Sequence, residues 1–149
     1  MKKIIITGGI GYIGMELSKI YSGKTRDFDV TVLDNEFYSE RVSQLKRWGI
    51  KFEQLDILDE DNLQKHIGDA DLIYHLAGIT KVPNTDVNLN KRKEKIIYNN
   101  SVNIMNNLVQ HISKGTRVVF PSTHLVYENC KQNKKIFKEN SKALPKLAY

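Results

Sequence analysis

Three glycines at intervals of three residues follow a short apolar segment near the start of the chain. Residues 7–14 read TGGIGYIG, which fits G-x-x-G-x-x-G through Gly8, Gly11 and Gly14 and equally G-x-G-x-x-G from Gly9. A sharp turn from strand to helix, with backbone close to a pyrophosphate, excludes a Cβ atom at such positions. The helix N-terminus then offers N–H groups and a positive dipole to phosphates. The pattern indicates a dinucleotide-phosphate site, and a purely structural glycine turn is the alternative.

An acidic residue, Asp34, stands 20 positions after Gly14, at the end of a second apolar segment. A carboxylate at this place accepts hydrogen bonds from both hydroxyls of an adenosine ribose and repels a 2′-phosphate. No arginine follows immediately, since Asn35, Glu36 and Phe37 come next. We therefore expect NAD rather than NADP, the alternative being an aspartate that begins an ordinary turn.

The segments that must position these residues alternate between strand-like and helix-like patterns. Short apolar runs predict strands over 3–7, 29–33, 51–55, 71–76 and 116–120. Helical spacing and capping residues predict helices over 12–22, from Ser39 to Gly49, from Asp59 to Gly68, and over 91–114 before Gly115, with a polar loop from Gly78 to about Asn90. The alternation predicts one α/β domain, a doubly wound parallel sheet (Rossmann fold) of about five strands with helices on both faces.

Five motifs give the chain a specific resemblance along its whole length. They are TGGIGYIG at 7–14, VTVLDN at 30–35, LDILD at 55–59, HLAG at 75–78 and PSTHLVYE at 121–128. Together they resemble the extended short-chain dehydrogenase/reductases, the family of NAD-dependent sugar-nucleotide epimerases and dehydratases. The resemblance implies NAD as the cofactor and these contacts to it: Gly8, Gly11, Tyr12, Ile13, Gly14, Asp34, Asn35, Asp56, Ile57, Leu76, Ala77, Gly78 and Ser122.

The same resemblance implies two catalytic residues, Thr123 and Tyr149. Thr123 stands four places before Tyr127, as the family's hydroxyl residue does, and Tyr149 takes the place of the tyrosine in Tyr-x-x-x-Lys. The lysine one helical turn later lies beyond the 149 residues. We therefore expect a cofactor-binding part without the substrate domain, inactive alone, whose longer parent acts on a sugar nucleotide. A Ser-Thr pair in a simple turn and a non-catalytic dinucleotide-binding module or sensor are the alternatives.

Two departures from the family pattern bear on the reaction. Ser101 stands where the family's long helix carries an asparagine that organises the active site, and neither Asn99 nor Asn100 is expected to compensate. Leu125 occupies the place where dehydratases and decarboxylases carry an acid. The resemblance therefore favours an epimerase or simple reductase over a dehydratase.

Composition and residue spacing bear on three other classes of protein: those that bind nucleic acid, those that bind metal and those that span a membrane. The net charge is +6, and six lysines against one glutamate fall between Lys131 and Lys146, a stretch that we interpret as a solvated loop rather than a nucleic-acid surface. The four histidines lack metal-ligand spacing. The lone Cys130 and the short apolar run at the start favour a cytoplasmic protein without a membrane span. The family resemblance also implies a homodimer as a candidate assembly.

Overall fold

The computed structural model describes residues 1–78, 87–127 and 137–144, with the backbone alone for 87–94 and Leu125. Within these residues the secondary structure is an alternation of strands and helices. The elements are β1 (Lys2–Thr7), α1 (Tyr12–Ile20), β2 (Phe28–Asp34), α2 (Ser39–Arg47), β3 (Lys51–Gln54), α3 (Glu60–Ile67), β4 (Leu72–His75), α4 (Val87–His111), β5 (Arg117–Val119) and a 3₁₀ turn at His124–Tyr127.

The strands form a parallel sheet in the order β3-β2-β1-β4-β5. After β1 the chain adds β2 and β3 on one side of the sheet, and then β4 and β5 on the other side. The carboxyl ends of β1 and β4 therefore flank a crevice, the usual ligand site of a doubly wound sheet. Thr7 lies opposite both Leu33 of β2 and His75 of β4. The predicted fold class is confirmed.

The core lies on both faces of the sheet because its central strand is apolar at successive positions. Ile4, Ile5 and Ile6 of β1 are at most 1% exposed. Ile5 packs in a cluster with Leu63 of α3 and Leu108 of α4, whereas Ile4 and Ile6 belong to a cluster on the side of α1 and α2. A continuous β-branched run is what a parallel strand covered on both faces requires.

The helix boundaries differ from the prediction mainly in α4. It begins at Val87, inside the expected polar loop, and ends at His111, before the expected 114. Its first turn, Val87–Asn90, alternates apolar and polar residues, so helical periodicity did not reveal it. Asp59 caps α3 as predicted, accepting from the Asn62 N–H at 3.3 Å. No helix in the described ranges has the length and apolar character needed to cross a bilayer.

Candidate functional site

A cleft of about 670 Å³ opens at the carboxyl ends of β1, β2 and β4. It collects residues from all five sequence motifs, with Pro121 as the contribution of the fifth. The predicted cofactor contacts that line it are Gly8, Gly11, Tyr12, Ile13, Gly14, Asp34, Asn35, Asp56, Ile57, Leu76, Ala77 and Gly78. Ser122 and Thr123 are described but do not line it, although the adjacent Pro121 does. Tyr149 lies outside the described residues.

The glycine turn holds the end of β1 against its two neighbouring strands. The Gly8 N–H donates to the Leu33 carbonyl at 2.8 Å, and Gly8 has a φ of +66°. A Cβ atom there would lie 2.6 Å from the backbone nitrogen of Ala77. Glycine is therefore required at this position for both its backbone conformation and the close approach to β4.

The N-terminus of α1 faces this cleft without a side-chain cap. Gly11 is the N-cap residue, it makes no side-chain cap hydrogen bond, and the first helical turn contains no acidic residue. Among the described residues, no acceptor is found for the backbone N–H groups of Tyr12, Ile13 and Gly14. Uncompensated N–H groups with the positive end of the helix dipole fit a pyrophosphate.

Asp34 joins the glycine turn to the loop after β2. Its Oδ2 accepts from the Ile10 N–H at 3.2 Å, and its Oδ1 accepts from the Glu36 N–H at 3.1 Å. Each carboxylate oxygen has a second lone pair, so the group retains acceptor capacity toward the cleft. This arrangement suits the vicinal hydroxyls of a ribose.

A buried polar network supports the β4 side of the cleft. The Ala77 N–H donates to Thr7 Oγ1 at 3.3 Å, and Thr7 Oγ1 lies 2.8 Å from His75 Nδ1. The Thr7 hydroxyl accepts from the Ala77 N–H and shares a second hydrogen bond with Nδ1, whose direction depends on the His75 tautomer. His75 is 2% exposed and stacks on Phe120, and burial lowers the pKa of His75 below its ordinary value. His75, which the sequence predicted to be a packed strand residue, is therefore a neutral imidazole that holds the Thr7 side chain in place.

The opposite wall comes from the loop after β3. Asp56 Oδ1 accepts from the Leu58 N–H at 2.9 Å, which closes a tight turn. Ile57 is 7% exposed and joins the core cluster that includes Leu55 and Ile104. The wall thus offers an apolar edge beside a carboxylate, the surroundings that an adenine ring would need.

Several residues of the cleft lining were not predicted from the sequence, and Arg41 and Asn100 are two of them. Arg41 of α2 lines the cleft although it stands seven positions after Asp34. On α4, Asn100 lines the cleft, whereas Ser101 is exposed. Of Asn99, Asn100 and Ser101, Asn100 is therefore the residue that reaches the cleft. No cluster of three metal-ligating residues occurs in the described part of the chain.

The sequence model of the NAD dependent epimerase/dehydratase family matches residues 4–148. The chain belongs to this family. The resemblance inferred from the motifs is confirmed, and so is the cofactor expectation, because NAD is the cofactor on which the epimerase/dehydratase family depends.

Relatives within the family act on nucleotide-linked sugars according to their names. The chain is 31% identical over 128 residues to UDP-glucuronic acid decarboxylase 1 of Danio rerio, covering 85% of this chain and 28% of that protein. It is 34% identical over 133 residues to UDP-glucose 4-epimerase of Pasteurella multocida, covering 83% and 37% respectively. The chain therefore spans about a third of the length of these relatives.

A solved structure in the same family has the same fold. UDP-N-acetylglucosamine 4-epimerase of Methanobrevibacter ruminantium, in complex with UDP-N-acetylmuramic acid, is 29% identical with a TM-score of 0.66. The superposition covers 99% of this chain and 46% of that one. The described sheet and helices thus correspond to less than half of that epimerase chain.

Proposed function

We propose that the cleft binds NAD in one defined orientation. The pyrophosphate lies on the backbone N–H groups of Tyr12, Ile13 and Gly14, and the adenosine ribose lies on Asp34. The adenine lies along Asp56 and Ile57, and the nicotinamide end extends past residues 76–78 toward Ser122. The observation that supports this orientation is the convergence of all these residues except Ser122 on one cleft beside an uncapped helix N-terminus.

We further propose that the whole protein is a sugar-nucleotide epimerase. When bound, NAD⁺ would accept a hydride from a sugar carbon and return it to the other face of the resulting ketose, with no net oxidation. Tyr149 removes the proton of the hydroxyl on that carbon, and the Thr123 hydroxyl binds the same oxygen. The Thr123 carbonyl accepts from the Val126 N–H at 3.3 Å, which places Thr123 at the start of the 3₁₀ turn after β5.

The choice of epimerase over decarboxylase or dehydratase rests on one residue. Leu125 stands where dehydratases and decarboxylases of the family, which remove a group from the substrate, carry an acidic residue. A nucleoside-diphosphate sugar with a free hydroxyl on the carbon that epimerises is the substrate class. UDP-sugars are the first candidates because the relatives named above are UDP-sugar enzymes.

Product analysis by proton NMR distinguishes these reactions. The whole protein is incubated with NAD⁺ and either UDP-glucose or UDP-glucuronic acid. An epimerase produces the C4 epimer with no change in mass, and a decarboxylase releases CO₂ and leaves a UDP-pentose. Thr123→Val, which removes the hydroxyl at nearly constant shape, is expected to lower the epimerisation rate by roughly 100-fold or more. Binding of NAD⁺ with no turnover of either sugar would support the dinucleotide-binding module instead.

A further inference from the structure

Arg41 makes a long-range contact with the glycine turn. It lies in the first turn of α2, and its Nη1 donates to the Ile10 carbonyl, 31 residues earlier in the sequence. Its guanidinium carbon lies 5.2 Å from the centre of the Tyr38 ring, a cation–π distance. The guanidinium is therefore held by two groups on the edge of the cleft.

The Ile10 residue is consequently held on both sides of its backbone. Its N–H donates to Asp34 Oδ2, and its carbonyl accepts from Arg41. The next N–H, that of Gly11, donates to the Gly8 carbonyl at 3.1 Å. The Ile10 side chain is 2% exposed in the core beneath the turn. The peptide that leads into α1 thus has every polar group engaged within the protein.

We propose that Arg41 is a positioning residue for the cofactor's pyrophosphate. By holding the Ile10–Gly11 peptide, it keeps the following N–H groups, of Tyr12 to Gly14, directed at the cleft. The hydrogen bond has a charged donor and therefore belongs to the stronger class. The inference rests on the placement of NAD proposed above, but the order that Arg41 imposes on the turn exists without ligand.

A direct role in binding a 2′-phosphate is the competing explanation for an arginine at this edge. The observed contacts oppose it, because the guanidinium is already bonded to Ile10 and stacked on Tyr38. The carboxylates of Asp34 and Glu36 also line the same end of the cleft and would repel a phosphate. This explanation predicts that loss of Arg41 weakens NADP⁺ binding more than NAD⁺ binding.

The test uses Arg41→Met, which keeps an apolar stem but removes the donor, with Arg47→Met as its matched control. Arg47 is an exposed arginine of the same helix whose side chain bonds to Gln44. Affinities for NAD⁺, ADP and adenosine are measured by NMR titration, and amide hydrogen exchange of Ile10 and Gly11, whose N–H groups donate within the protein, is measured without ligand. For Arg41→Met we expect NAD⁺ and ADP binding to weaken about tenfold, adenosine binding to change less than about twofold, and exchange to accelerate. Arg47→Met should change neither the ligand affinities nor the amide exchange.

Several results would overturn the proposal. Unchanged exchange in Arg41→Met would show that the turn does not depend on the arginine. Equal weakening of ADP and adenosine would show a general structural loss. Full rescue of ADP binding by Arg41→Lys with exchange still accelerated would show that only the positive charge matters. If the unmodified protein binds no NAD⁺, the proposed function fails, but the exchange measurement still decides the role of Arg41.

Discussion

Two glycines of the same turn should respond in opposite ways to the addition of one methyl group. A Cβ atom on Gly14 would lie 2.5 Å from both the Cα and the carbonyl oxygen of Gly9, well inside van der Waals contact. These are backbone atoms that cannot rotate away. On Gly11 the added atom would approach only the Gly8 carbonyl oxygen, at 3.1 Å, and the Gly11 φ of −67° and ψ of 174° suit alanine.

The magnitudes follow from this geometry. Overpacking against rigid neighbours costs about 3 kcal/mol at Gly14, and alanine returns about 1 kcal/mol of helix propensity. A net loss of about 2 kcal/mol should lower the Tm of a domain of this size by roughly 6 °C. Gly11→Ala should leave stability within about 1 kcal/mol of the unmodified protein. Its methyl group, however, occupies the surface on which the pyrophosphate lies, so we expect NAD⁺ affinity to fall about tenfold or more.

Thermal unfolding without ligand and calorimetric titration with NAD⁺ measure the two effects separately. Gly68→Ala is the control, because its Cβ atom would lie 3.2 Å from the Gln64 carbonyl oxygen, a contact as tight as that at Gly11, and Gly68 does not line the cleft. It should preserve NAD⁺ affinity. Undiminished affinity in Gly11→Ala would refute the placement of the pyrophosphate. An unchanged Tm in Gly14→Ala would refute the packing argument.

Three further substitutions test the ribose contact, the buried histidine and the core. Asp34→Asn replaces an acceptor oxygen with a donor. Calorimetry should therefore show about tenfold weaker NAD⁺ binding and a smaller preference for NAD⁺ over NADP⁺. An unchanged preference for NAD⁺ would contradict the ribose contact. Because burial lowers the pKa of His75, the unfolded chain binds the proton more readily, and stability should fall as pH drops below about 6.5. The free energy of unfolding in urea should fall less between pH 7.5 and pH 5.5 for His75→Asn than for the unmodified protein. An equal fall in both proteins would exclude His75 as a cause of the pH dependence. Leu108→Ala, at a fully buried site, should cost about 3 kcal/mol in urea unfolding, and a cost under about 1 kcal/mol would contradict the core assignment.

The fold and most of the cleft lining could be predicted because their signals are local. The glycine turn, Asp34 and the Asp56-Ile57 pair each lie at or just beyond the carboxyl end of a strand, and the carboxyl ends of parallel strands meet at one edge. Their sequence positions therefore determine their place in the molecule once the sheet is recognised.

The contribution of Arg41 could not be predicted because it depends on how α2 packs beside the glycine turn. Nothing in its neighbours distinguishes it from Arg47, which lies on the same helix without contact to the cleft. The place of Asn100 at the cleft could not be predicted for a different reason. The family's asparagine stands beside a valine, a pattern that Ser101 matches beside Val102, and a shift of one residue rotates a side chain by about 100° around a helix.

The direct test of the central claim is a crystal structure of the protein with NAD⁺ bound. The account predicts pyrophosphate oxygens within hydrogen-bonding distance of the Tyr12, Ile13 or Gly14 N–H groups and ribose hydroxyls on the Asp34 carboxylate. A cofactor bound outside this cleft, or in the cleft with its ribose away from Asp34, would contradict it.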